Sequence, residues 1–165
     1  MPPGNLPLDE RPGSLWSYSL RTALIASLPT LIGLCVTMVF VHSSGMDRGG
    51  PVVKLPMPDL WELFGNIVFA PVTETATLVV GLLLLGKTRM SASTNAVICG
   101  LAFGILHGVL QGWIKFPVAL WGFYFFATAY QVWRPASFAK AVLAALAPHV
   151  LVNATVMAVL AVYAI

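Results

Sequence analysis

The sequence predicts an all-α, polytopic integral membrane bundle of about five transmembrane helices, and three observations carry that expectation. Of 165 residues, 58% are hydrophobic and only 9% are charged, and the mean hydropathy is +0.86. The few charges divide the chain into long apolar windows. None of these windows shows the apolar/polar alternation of a transmembrane β-strand. In hydrocarbon every backbone amide must be bonded internally, so continuous apolar runs fold as helices. That balance excludes an ordinary water-soluble domain.

The segment "MPPGNLPLDERPGSLWS" is rich in Pro and Gly, and residues 1–18 read as a flexible tail with Trp16 and Tyr18 at the membrane interface. Residues 19–165 read as a single transmembrane domain. The first span falls near 20–41. It is longer than a signal-peptide core, begins further into the chain and lacks a small-residue cleavage pattern, so it reads as a retained helix. The connection from His42 to Asp59, "HSSGMDRGGPVVKLPMPD", holds Gly and Pro that preclude a long helix, and as a loop it is a candidate gate for substrate. Four further spans fall near 60–86, 91–114, 116–133 and 139–164. A span needs about 20 residues to cross about 30 Å of hydrocarbon, which the stretch 116–133 only just supplies.

Lysine and arginine in the short connections set the orientation. A cytoplasmic N-terminus places Arg11, Arg21, Lys87, Arg89, Arg134 and Lys140 inside, against Arg48, Lys54 and Lys115 outside. That asymmetry favours an external C-terminus. The short chain, without eukaryotic targeting signals, points to a prokaryotic inner membrane. The apolar spans call for the lipid bilayer as partner, and the net charge of +3 needs no nucleic acid to explain it. Cys35 and Cys99 lie inside apolar spans, as small core residues rather than disulfide or metal ligands. His42, near the end of the first span, is assigned no role.

Four polar residues stand out inside the spans: Glu74, His107, His149 and Asn153. An ionisable group in the bilayer costs about 2.5–3.5 kcal/mol, so each needs a partner or a water-filled cavity. At 1.5 Å per residue, Glu74 lies roughly 20 Å from Lys87, His107 roughly 25 Å from Met90, and His149 and Asn153 roughly 14 and 20 Å from Lys140. These depths permit one shared site. In "APHVLVNAT", His149 and Asn153 are four apart and share a helix face. They either bind one oxygen together or cement helix packing. In "CGLAFGILHGVLQGW", Gly100, Gly104, Gly108 and Gly112 form a stripe that lets another helix approach beside His107. Pro71 and Pro148 precede two of the polar residues and are expected to kink their helices, freeing carbonyls near Ile67 and Ala144.

Glu74, then "FGILH" from Phe103 to His107, then "HVLVN" from His149 to Asn153, resemble in this order the CPBP family of intramembrane glutamic endopeptidases, which includes the CAAX prenyl proteases and the Abi-like bacterial proteins. The resemblance covers roughly residues 60–160. The last two segments match the family's Phe-x-x-x-His and His-x-x-x-Asn patterns. In its Glu-Glu-x-x-x-Arg segment, Thr75 stands at the second glutamate and Val79 at the arginine. The resemblance implies an intramembrane peptidase that cuts a membrane-associated protein or peptide, metal-independent and without a cofactor. Glu74 and His107 would activate water, as a carboxylate and an imidazole sharing that water can. His149 and Asn153 would form the oxyanion hole. Thr73, Thr75 and Thr77 offer hydroxyls in place of the missing pair, or simply bond their own backbone.

Three other readings stay open on the sequence. Two His, a Glu and an Asn are also possible zinc ligands, although no His-Glu-x-x-His helix is present. A small proton-coupled carrier would likewise place Glu and His near the midplane, although no repeat between halves is visible. A catalytically silent relative acting as a membrane binding or immunity protein would tolerate the departures at Thr75 and Val79.

Overall fold

Side chains at the helix starts set several of the boundaries. Ser14 accepts the Ser17 amide at 3.1 Å, Ser91 accepts that of Thr94 at 3.1 Å, and Ser137 accepts that of Lys140 at 3.0 Å. Asp59 and Glu62 form a reciprocal capping box, which satisfies two otherwise orphaned amides. The computed structural model describes residues 14–43 and 59–163. Its elements are α1 (Leu15–Ser43), α2 (Leu60–Phe64), a π-helical turn (Gly65–Phe69), α3 (Ala70–Leu85), α4 (Ala92–Gln111), α5 (Lys115–Trp133) and α6 (Phe138–Tyr163). No strand occurs among the described residues.

The stretch Leu60–Leu85 is one continuous rod made of α2, the π turn and α3. This rod, α4 and the Phe138–Val159 part of α6 are long and apolar enough to cross a membrane. α5, expected to be a span, is not among these three and is the central helix. It packs against α1, α3, α4 and α6, and its buried residues include Phe123, Phe125, Phe126, Ala127, Tyr130 and Trp133. Protein surrounds it, so it tolerates the Tyr, Gln and Trp that lower its apolarity. On α1, Leu20, Leu24, Leu28 and Ile32 stay exposed. On α4, Ile105, Leu106, Val109 and Leu110 do the same, leaving broad apolar faces uncovered.

α1 begins five residues before the expected 20, so part of the expected tail is helical, from Leu15 onward. Trp16 is exposed, but Tyr18 is buried and packs edge-on against Trp133 at 5.9 Å between ring centroids. The interface role expected for Tyr18 is therefore a core role, because α5 ends beside the start of α1. The expected gate from His42 to Asp59 falls almost wholly outside the described residues. So do the side chains of Cys35 and His42. Cys99 is a buried free thiol in the core.

The glycine stripe of α4 lies against α5. A Cβ on Gly100 would sit 2.8 Å from the Leu120 carbonyl oxygen, and one on Gly104 would sit 3.0 Å from Leu120 Cβ and 3.1 Å from the Phe116 oxygen. The hydrogen at those positions sets how closely the two helices pack. Gly112 has a different role. With φ at 101° it ends α4 in a backbone conformation that side chains disfavour.

Pro71 and Pro29 act through the hydrogen bonds they remove. Within the π turn each amide reaches the carbonyl five residues back, as Ala70 does to Gly65. Pro71 has no amide to continue this, so the carbonyl left without its helical donor is that of Asn66. The expectation of Ile67 assumed an α-helical register, and the π turn shifts it by one residue. In α1, Pro29 likewise removes the helical donor for Ile25, and the Trp121 indole N–H of α5 donates to that oxygen at 2.9 Å.

Candidate functional site

α3 buries Pro71, Thr75, Leu78, Val79 and Leu82 on one stripe, which leaves Glu74 at the stripe's edge facing a cavity of about 430 Å³. α4 brings His107 to that cavity and α6 brings His149 and Asn153. The four residues expected from sequence therefore line one space. His107 Nε2 lies 3.6 Å from Glu74 Oε1, and His149 Nε2 lies 3.3 Å from Glu74 Oε2. One carboxyl group stands between two imidazoles, each facing a different oxygen.

The second nitrogen of each ring has its own partner. His107 Nδ1 is 2.9 Å from the Phe103 carbonyl oxygen, which can only accept, so Nδ1 carries a hydrogen. Its Nε2 then faces Glu74 Oε1 with either a lone pair or a second proton, and an ionised carboxylate can only accept. The favourable states at this contact are those in which the pair holds one proton between them, on the carboxyl group or on the imidazole. His149 differs. Its Nδ1 is 3.3 Å from the Thr75 hydroxyl, a group able to donate. The Phe103 carbonyl thus sets the hydrogen on His107 Nδ1, whereas the Thr75 hydroxyl, able to donate or to accept, admits either tautomer of His149.

Asn153 has a partner besides the histidines that share its cavity. Its amide nitrogen donates to the Asn66 carbonyl at 2.8 Å, the oxygen deprived of its donor by Pro71. An amide carries two hydrogens, so this tie leaves one available toward the cavity. Replacing Asn153 with leucine is expected to lower the stability of the protein in detergent by about 1 kcal/mol, the scale of a hydrogen bond between membrane helices. Thermal unfolding followed by tryptophan fluorescence measures it, and an unchanged midpoint would remove the tie from the account.

Aromatic rings of α5 hold the histidines. Phe126 stacks on His149 at 4.6 Å, and Phe123 meets His149 edge-on at 5.1 Å and His107 at 5.5 Å. Phe123 also stacks on Phe103 at 3.8 Å. Sequence reading missed Asn66, Phe123 and Phe126. The three-residue spacing of the two phenylalanines placed them on one helix face, but nothing in the sequence showed which helix that face would meet. α1 contributes Ala26, Pro29, Thr30 and Gly33 to the cavity wall, although it lies outside the region of resemblance. Gln111 and Lys115 supply polar groups at another part of the lining. Among the described residues no group of three or more His, Cys, Asp or Glu side chains is arranged to hold a metal ion.

Fold and site together define a helical protein, three of whose helices are long and apolar enough to cross a membrane, with a carboxyl group between two imidazoles on a largely apolar cavity. The chain matches no known family profile, no curated protein and no solved structure.

Proposed function

We propose that this chain is an intramembrane peptidase of the glutamic type, similar to the CPBP family, seated in a prokaryotic inner membrane with its N-terminus cytoplasmic and its C-terminus outside. The observation that carries the reading is Glu74 between His107 and His149, on a cavity of about 430 Å³. In the proposed reaction a water molecule loses a proton to the Glu74–His107 pair as its oxygen attacks the carbonyl carbon of the scissile bond. The resulting oxyanion accepts hydrogen bonds from His149 Nε2–H and from the uncommitted amide hydrogen of Asn153, a contribution of about 3–4 kcal/mol for a well-placed donor. The pair then returns its proton to the leaving nitrogen, and the carbon–nitrogen bond breaks. Water supplies the oxygen of the new carboxyl group.

A library of synthetic single-span peptides, reconstituted with the purified protein in liposomes, tests this. Cleavage that persists in chelator and is lost in His107→Ala is the expected result. Stoichiometric zinc in the purified protein, with cleavage abolished by chelator, would replace the glutamic assignment by a metal-dependent one. A second reading, a silent membrane binding or immunity protein, is favoured by the engagement of Asn153 with Asn66. That reading predicts no cleavage of any peptide in the library.

A further inference from the structure

The hydroxyl of Thr75 stands apart from its neighbours. Thr73 donates to the Phe69 carbonyl at 2.9 Å, and Thr77 donates to the Thr73 carbonyl at 2.9 Å. Both follow the usual habit of threonine in a helix. Thr75, between them and facing the opposite way, makes no such bond. Its side chain is 1% exposed, and its one polar contact is His149 Nδ1 at 3.3 Å.

A hydroxyl has one hydrogen, and leaving it unbonded in this core would carry the full desolvation cost. Among the described residues the acceptor within reach is the His149 Nδ1 lone pair. The opposite arrangement, Nδ1–H toward Thr75, strands the hydroxyl hydrogen. It also turns the Nε2 lone pair of a neutral ring toward the Glu74 carboxyl group. Both losses disappear when Thr75 donates.

We propose that Thr75 is a positioning residue, whose hydroxyl occupies His149 Nδ1 and so presents His149 to the cavity as an Nε2–H donor. Resting on the peptidase reading above, this gives the donor of the proposed oxyanion hole its orienting partner. It also accounts for a stable site with threonine at the place of the second glutamate and with Val79, 7% exposed in the core, at the place of the arginine. Fixing the outer nitrogen of a working imidazole through a hydrogen bond to its other side is a general device for setting tautomer and ring orientation.

The test is the ring nitrogen spectrum of the full-length protein, ¹⁵N-labelled at histidine, in lipid nanodiscs. The chain has three histidines, and His42→Gln and His107→Gln spectra assign the His149 signals. The wild-type protein is expected to show His149 with a proton on Nε2 and an acceptor-type, hydrogen-bonded Nδ1. In Thr75→Val the Nδ1 signal moves to the position of an unbonded lone pair, and in Thr75→Ser it stays. The kcat for peptide cleavage is expected to fall about 10–100-fold in Thr75→Val, as for other outer-sphere partners, with KM held within about twofold because the donor acts in the transition state. Thr75→Ser restores it.

A wild-type His149 protonated on Nδ1 overturns the proposal without need of any variant, as does an Nδ1 signal unmoved in Thr75→Val. The expected spectra in a protein that cleaves no peptide would uphold the Thr75 contact and overturn the peptidase reading.

Discussion

Glu74→Gln is expected to lower peptide cleavage by about 10²–10⁴-fold, the contribution of a positioned general base, while leaving the fold intact. The substitution conserves shape and can improve the resting hydrogen bonds. With His149 as the proposed Nε2–H donor, the amide oxygen can accept from it at the position of Oε2, 3.3 Å away. The amide NH₂ can donate to the His107 Nε2 lone pair from the position of Oε1, 3.6 Å away. What the amide cannot do is take a proton from water. A midpoint of thermal unfolding equal to or above that of the wild type, together with lost cleavage, separates a chemical role from a structural one. If turnover fell only in step with folded protein, Glu74 would be a packing residue.

Gly100→Val is expected to be the most destabilising single change on the α4–α5 contact. The added Cβ would meet the Leu120 carbonyl oxygen at 2.8 Å and Tyr124 Cβ at 3.3 Å. The first of these is backbone, which cannot rotate away, so α5 itself must shift. Overpacking of this kind costs about 1–3 kcal/mol, and more where backbone moves. The movement reaches the site because α5 carries Phe123 and Phe126, whose rings lie against both histidines. Cleavage should therefore fall together with the thermal midpoint. Gly65→Ala supplies the control, since a Cβ at Gly65 meets nothing within 4 Å. Equal midpoints for Gly100→Val and the wild type would mean that the stripe does not set the helix spacing.

Much of the helical layout was legible because it depends on apolar length. The charges at Lys87, Arg89, Arg134 and Lys140 interrupt the windows, and the observed helices α3 to α6 begin or end within a few residues of them. Convergence of Glu74 with the two histidines was legible as a permitted depth, since rise per residue converts sequence position to distance along a helix. Rotation about the helix axes was less legible. Asn153 lines the cavity and also bonds the Asn66 carbonyl, and the second contact depends on the π turn, a departure of one residue in hydrogen-bond register that no composition or period encodes. Thr73, Thr75 and Thr77 look alike in sequence, and only the packing of α3 against α6 distinguishes the one that reaches a histidine. α5 was read as a span on length alone. Its role as the central helix follows from contacts with four other helices, which are a property of the assembled fold.

The most direct test of the central claim is the mass of the cleaved product formed in H₂¹⁸O by the purified protein in chelator-treated liposomes carrying the single-span peptides. One new carboxyl group per cut, carrying one ¹⁸O, is expected in the wild type and none above background in Glu74→Gln. Equal yields of labelled product from the two proteins would contradict it.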